Sequence, residues 1–385
     1  MKLCFVCSEY PPGPHGGIGT MTQVLGRALA KNGHEVRSIG VYPQWYGGAD
    51  FEETDGVRIW RLREKQAPLG WLYSRYKLYQ TIASWCREGA IDLIEVPDYQ
   101  GWAAGWKPLS VPIVARFHGS LTYFASELSR PIDKTTFWLE RSSLFRADYS
   151  FSVSRYTAEI TKQVFNYSRD SSAIVYNPVE MPALGNGERL KNRVLFSGTL
   201  TPKKGVKSLM MAWRFIADEF PNAELHLYGK DGRAEDGGSM QKYLSSLLND
   251  RQRAGVHFHG HVSREELFES YRSATVAVFP SYAEAFAIAP VEAMACGCPT
   301  VYSLRGSGPE LLHSGEEGLL IDPDDPRSIA NAVLQVLRDR RLAQTLGEFG
   351  RRRVQETFSI DRLLEQNTNL YEHCIRDFRL RSSRK

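Results

Sequence analysis

Residues 281–301 read SYAEAFAIAPVEAMACGCPTV, and the reading of this stretch decides the fold. The run just before it, VAVFP from Val276, is continuously apolar and predicts a strand buried on both faces. Pro290 stands where a helix can begin, because the N–H it lacks would be unpaired there anyway. Gly297 is a natural helix stop, and Pro299-Thr300-Val301 starts the next strand. The expected order is strand, loop, helix, strand. It places Glu284 in the loop and Glu292 in the first helical turn.

Such a junction favours an anion, since the free backbone N–H groups of residues 286–289 and the positive helix end suit phosphate oxygens. Two carboxylates beside them accept hydrogen bonds and suit sugar hydroxyls. Together these features fit a nucleotide-sugar site. Each glutamate alone also has a plainer explanation, Glu292 as a stabiliser of its own helix start and Glu284 as a solvated loop charge.

The same alternation extends in both directions. KLCFVCSEY opens with a strand, GTMTQVLGRALAKNG is an amphipathic helix, and HEVRSIGVY, IDLIEVPD and VPIVARFHGS are further strands. Residues 140–165 give a helix, a short strand at 149–153 and a second helix. Proline, glycine and polar residues then accumulate in AIVYNPVEMPALGNGERLKN, after which RVLFSGT, AELHLYGK, VHFHGH, VAVFP, PTVYS and GLLID restart the pattern. The expected class is α/β, with two doubly wound, Rossmann-like domains at 1–180 and 181–365. A ligand is expected in the cleft between them, at C-terminal strand ends. A C-terminal helix and basic tail, 366–385, are expected to pack back on the first domain.

A chain of 385 residues suits two cores rather than one. With 42% hydrophobic and 24% charged residues the composition is that of a globular protein, and a formal charge of +4 is too small to argue for nucleic acid, which is not expected as a partner. LCFVC is far shorter than the ~20 residues of a membrane span and lacks a cleavage site, so a cytoplasmic protein is expected. The basic end RDFRLRSSRK admits contact with the inner membrane face, although a solvated terminus is the plainer reading. Cys4 and Cys7 should point to opposite faces of one strand, and Cys296 and Cys298 should be packed small residues, which leaves no zinc or redox pair. No histidine cluster is evident, so no metal is expected.

The run E-A-F-A-I-A-P-V-E-A-M-A-C-G-C-P resembles the family-4 glycosyltransferases, retaining enzymes of the GT-B fold, and the likeness covers nearly the whole chain. The resemblance implies that Glu284 contacts the donor sugar and Glu292 the ribose hydroxyls. Phe286, Ala287 and Ile288 lie along the same donor loop. In FSGTLTPKKGVKSLMMAW it implies a glycine turn at Gly198 and Thr199, with Lys204 on the donor diphosphate. Relatives carry arginine where this chain has Thr199, and Lys203 is the neighbouring candidate cation. Relatives also carry glycines where this chain has Ala285 and Ala287. Gly16 and Gly17 match a donor-facing glycine loop, His118 a histidine near the donor sugar, and Gly260, His261 and Val262 the segment holding the nucleotide base. Ser154, Arg155, Asn177 and Glu310 are further candidates.

The implied activity is metal-independent, retaining transfer of a hexose-type sugar, from a UDP-sugar ahead of a GDP-sugar, to a hydroxyl acceptor. His118, Lys204 and Glu284 carry the chemistry. No cofactor is implied, the nucleotide sugar being a substrate. The acceptor class stays open among a glycan, a lipid-linked sugar and a small molecule. Epimerisation or sucrose-type synthesis on the same fold, and a regulator that binds nucleotide sugar without turnover, are the alternatives. The aromatic stretch APLGWLYSRYKLYQTIASW can stack on sugar rings or meet a membrane interface, but at helical spacing core packing is the first expectation.

Overall fold

The computed structural model describes residues 1–169, 173–184 and 189–383. Part of the expected linker, 185–188, and the last two residues of the basic tail lie outside them. The chain divides into two compact units, Met1–Pro178 with Ile360–Lys385, and Val179–Ser359.

The first unit holds an eight-stranded sheet: β1 Lys2–Val6, β2 Glu35–Tyr42, β3 Phe51–Thr54, β4 Val57–Arg63, β5 Leu93–Pro97, β6 Ile113–Phe117, β7 Tyr149–Ser152 and β8 Ala173–Ile174. Its spatial order is β3-β4-β2-β1-β5-β6-β7-β8. All neighbours are parallel except β3 and β4, an antiparallel edge hairpin that the expectation of parallel sheets did not include. The signal was present. Asp55-Gly56 separates two strand-forming runs, and both residues adopt positive φ, as a two-residue hairpin turn requires.

Cys4 and Cys7 belong to the apolar clusters on opposite faces of this sheet, and both are buried and unbridged. The final helix, Ile360–Ser382, is fastened to the same sheet through a buried polar network. Arg116 donates from Nε and Nη2 to the two oxygens of Glu95 at 2.9 and 3.0 Å, and Tyr371 donates its hydroxyl to Glu95 at 2.6 Å. Arg116 also donates to Asn367 Oδ1 at 2.5 Å. All four side chains are buried. Burial disfavours the Arg116 charge, but the Glu95 carboxylate more than offsets it and keeps the guanidinium protonated.

The second unit holds β9 Arg193–Ser197, β10 Glu224–Tyr228, β11 Val256–Gly260, β12 Val276–Phe279, β13 Thr300–Ser303 and β14 Leu319–Ile321. All are parallel, in the order β11-β10-β9-β12-β13-β14. This is the doubly wound order, with its switch point between β9 and β12. Both strands read as unbroken apolar runs because helices cover both of their faces. On one side the helix Val206–Glu219 buries Val206, Leu209, Met210, Trp213, Ile216 and Ala217, the three-and-four spacing of a core stripe. Trp213 is fully buried, and its indole N–H donates to the Gln252 carbonyl at 3.0 Å, so the largest core side chain leaves no orphan donor.

Candidate active site

The two loops that leave the switch point of the second unit carry the decisive side chains. After β9 the chain passes Gly198 and Thr199, makes a 3₁₀ turn at Pro202–Lys204, and enters the helix Val206–Glu219 through Gly205. Gly205 has φ +68°, and a Cβ there would lie 1.7 Å from the Pro280 carbonyl oxygen, so only glycine lets this turn press against the end of β12. That close approach brings Lys204 Nζ to within 2.5 Å of Glu284 Oε1. Gly306, at φ +62°, backs the same loop, and a Cβ there would meet the Glu284 carbonyl at 2.8 Å.

Glu284 is buried and Lys204 about one-quarter exposed. Burial alone would raise the Glu284 carboxyl. The charges of Lys204 and Lys203, with hydrogen bonds from Lys204 and Ser281, outweigh it and hold the group below the usual glutamate range. The result is an ionised carboxylate paired with a lysine at the mouth of a parallel sheet. Lys203 contributes to this field, while Thr199 is exposed beside Gly198. Ala285 and Ala287 are accommodated without positive φ. Phe286 is buried and packs edge-on against Phe358, with ring centroids 5.7 Å apart.

The helix after Glu284 corrects one expectation. It spans Ile288–Ala295 with Ala287 at the N-cap, so Pro290 is its third residue and Glu292 its fifth. Glu292 is therefore beyond the first turn. Stabilising the helix start does not explain it. The buried Glu292 carboxylate instead accepts from Arg264 Nη2 at 2.7 Å, and Arg264 Nη1 reaches Glu180 at 3.1 Å. Burial raises the Glu292 carboxyl above its usual range, and Arg264 only partly opposes this. The helix ends as expected at Gly297, whose N–H donates to the Met294 carbonyl at 2.8 Å, while Cys298 N–H donates to Ala293 at 2.9 Å.

Gly260, His261 and Val262 form the turn from β11 into the helix Arg264–Ser273, which Ser263 caps through Glu266 N–H. Glu310 is the third residue of the short helix Gly308–Leu311, and its carbonyl accepts from Arg353 at 3.1 Å.

The other candidates lie in the first unit. Gly16 is the N-cap of the helix Gly17–Lys31 and supplies no side-chain cap. Glu9 meets that helix end, accepting from Gly19 N–H at 2.8 Å. His118 follows β6, and its backbone N–H donates to the fully buried Asp98 at 2.8 Å, with Gly119 donating at 3.2 Å. Burial, then the Arg116 charge, push the His118 imidazole well below its usual value, so it is neutral at physiological pH. Asp98 is pushed up to about 8 by burial, against those same two backbone donors. Ser154 caps its own helix through Thr157 N–H at 3.0 Å, Arg155 is exposed on that helix, and Asn177 is buried near the end of the unit.

A cavity of about 250 Å³ opens above the C-terminal ends of β2, β4, β5 and β6, lined by Glu64, Trp71, Arg75, Gln100, Trp102 and Thr136 among others. Arg75 stacks on Trp102, 4.8 Å from the ring centroid, and donates to the Gly101 carbonyl at 2.8 Å. The buried Glu140 accepts from the backbone of Gln100, Leu121 and Thr122 at 3.1, 2.9 and 3.0 Å. The aromatic stretch therefore divides. Leu78, Ile82 and Trp85 enter the core, while Trp71, Tyr73 and Tyr76 are exposed.

Arg264, Glu9, Asp98 and Glu140 had not been singled out from the sequence. Asp98 had a signal, being an acid at the end of an apolar strand. Arg264 had none, because an arginine after a capping serine reads as a solvated charge.

The expectation that histidines do not cluster is also corrected. His226 and His257 are register partners on β10 and β11, and their ligand atoms lie with that of Glu224 within 4.8 Å of one another. Burial first, then Arg193 and the neighbouring histidines, push His226 down to about 4 against its hydrogen bond to Glu224, so it is neutral. Three histidines two and thirty-odd positions apart do not look like a cluster until two parallel strands bring them together.

The model of the glycosyl transferases group 1 matches residues 186–353, and that of glycosyltransferase family 4 matches residues 15–181. An uncharacterized glycosyltransferase of Methanocaldococcus jannaschii is 28% identical over 97% of this chain and 98% of its own length. Among solved structures, sucrose-phosphate synthase from Thermosynechococcus elongatus superposes with a TM-score of 0.81 at 24% identity, covering 96% of this chain and 98% of that one. HepE of Anabaena, in complex with UDP and glucose, superposes with a TM-score of 0.75 at 18% identity, covering 97% and 99%.

Proposed function

This chain belongs to the family-4 glycosyltransferases of the GT-B fold, and we propose that it is a retaining, metal-independent hexosyltransferase that uses a UDP-sugar ahead of a GDP-sugar. The observation that carries the reading is the Lys204–Glu284 pair at 2.5 Å, at the doubly wound switch point, with Glu292 eight residues further along the same loop and helix. Lys204 takes the donor diphosphate and stabilises the charge that develops as it departs. Glu284, ionised and acceptor-only, holds hydroxyls of the donor sugar, and Glu292 holds those of the ribose. The neutral His118 imidazole serves the donor sugar as a hydrogen-bonding group rather than a cation.

The acceptor is a hydroxyl compound, and the cavity at Trp71 and Gln100 is its site. An exposed indole offers a stacking face, Glu64 and Gln100 offer polar atoms, and the half-buried Arg75 and the buried Glu140 fix the loop at Gln100 and Gly101. UDP is placed ahead of GDP because HepE, alike in fold, binds UDP. The protein is expected to work in the cytoplasm. No described helix is long and apolar enough to cross a membrane.

Thermal-shift measurements against UDP-, GDP- and ADP-sugars test the donor without an acceptor, because a ligand specific for the native state raises its melting temperature. Stabilisation by a UDP-sugar, lost in Glu292→Ala, is expected. Stabilisation by none of the three would overturn the reading.

A further inference from the structure

The outer two strands of the second sheet carry a group of side chains that the transfer reaction does not use. Glu224 and His226 alternate on β10, and His257 and His259 alternate on β11. In the register of the pair His226 lies beside His257. The residues between them, Leu225 and Leu227, are core, and Val256 and Phe258 pack against that core. All four polar residues therefore share the opposite face.

The arrangement is tight. His226 is 5% exposed. Its Nε2 lies 3.1 Å from Glu224 Oε2, and its Nδ1 lies 2.9 Å from His259 Nε2. The His257 ring is 4.8 Å from that of His226, and His259 is held in turn by a parallel stack on Tyr228 at 4.3 Å. One donor atom each from Glu224, His226 and His257 falls within 4.8 Å of the others.

We infer that Glu224, His226 and His257 form a binding site for one divalent transition-metal ion of the zinc type, with His259 as the hydrogen-bond partner behind His226. Two imidazole nitrogens and one carboxylate oxygen are a three-ligand set that zinc takes with water in the fourth position. Magnesium and calcium prefer all-oxygen sets.

The hydrogen bonds show how the ion enters. A carboxylate only accepts, so His226 Nε2 carries the proton shared with Glu224, and His226 Nδ1 accepts from His259 Nε2–H. When the ion binds His226 Nε2, that imidazole gives up its Nε2 proton and takes one on Nδ1, from which it donates to His259 Nε2. His259 moves its own proton to Nδ1, so neither ring gains or loses charge. A ligating histidine whose other nitrogen donates to a fixed partner is well oriented for metal. The bound ion ties β11 to β10 just before the turn at Gly260, His261 and Val262. Its effect is on the stability of this edge, and the site shares no residue with Lys204, Glu284 or Glu292.

The test is titration of the full-length protein, after chelation and removal of the chelator, with Zn²⁺ by calorimetry and Co²⁺ by visible absorption. One equivalent is expected to bind, with the ligand-field bands of a four-coordinate ion and a rise in melting temperature. His257→Ala removes a ligand and should weaken binding by more than the roughly 10–100-fold that loss of a merely supporting group costs. If His226→Gln fails to fold, His257→Ala and Glu224→Gln still decide, since both side chains are at least partly exposed. His313→Ala, in the separate group His313, Glu316 and Glu317, should leave the affinity unchanged. Absence of saturable binding overturns the inference, as does equal affinity in wild type and His257→Ala.

Discussion

Lys204 and Glu284 are the residues on which the proposed chemistry turns, and each makes a separate prediction. Lys204→Ala should lower kcat by about 10²–10³-fold with a smaller rise in donor KM, the signature of charge stabilised mainly in the transition state. A pure KM effect would contradict the role. Removing the Lys204 charge also leaves burial as the larger influence on Glu284, so its carboxyl should rise and the acid limb of kcat/KM should move to higher pH. In the wild type, the stability supplied by this depressed carboxyl is present above the ordinary glutamate range and is lost as pH falls through the depressed value. Glu292→Ala should weaken free UDP by about 10–100-fold, the equivalent of a hydrogen bond to a charged group at roughly 1.5–3 kcal/mol. Calorimetric titration reads it directly. The two glutamates and Lys204 were legible as candidates from local pattern and resemblance. Arg264 was not, because its partners Glu292 and Glu180 are 28 and 84 residues away in sequence and are brought to it only by the folded sheet.

Strands and helices were more legible than the turns that aim them. Buried parallel strands such as β12 announce themselves as apolar runs, and every strand of the second sheet was expected, although β10 and β11 alternate histidine with apolar residues. The β3–β4 hairpin was missed, although Asp55-Gly56 was its marker. The helix Ile288–Ala295 begins two residues before the start that Pro290 suggests, because the proline is its third residue rather than its first. That shift moved Glu292 out of the first turn and removed its plainer explanation. Gly205 tests the element directly. Gly205→Ala combines a left-handed backbone with contact at 1.7 Å, so it should cost at least about 1–3 kcal/mol and should displace Lys204. Denaturant unfolding and turnover should both suffer. An active, fully stable variant would show that the turn does not depend on glycine.

At the scale of the molecule, two successive doubly wound units were readable from the restart of the strand-helix alternation after the linker. Chain order alone did not reveal the polar fastening of the last helix, since Glu95 and Tyr371 are 276 residues apart. Glu95→Ala should destabilise the first unit by about 3–5 kcal/mol, because it strands the buried Arg116 charge. A chain ending at Ser359 should lose the same contacts and unfold at lower temperature. The measurement that tests the central claim most directly is early-time proton NMR of the transfer product from a UDP-sugar in excess chelator, read before mutarotation. The account predicts that the donor's anomeric configuration is retained and that the reaction proceeds without divalent metal. An inverted product, or transfer that stops in chelator and returns with added metal, would contradict it.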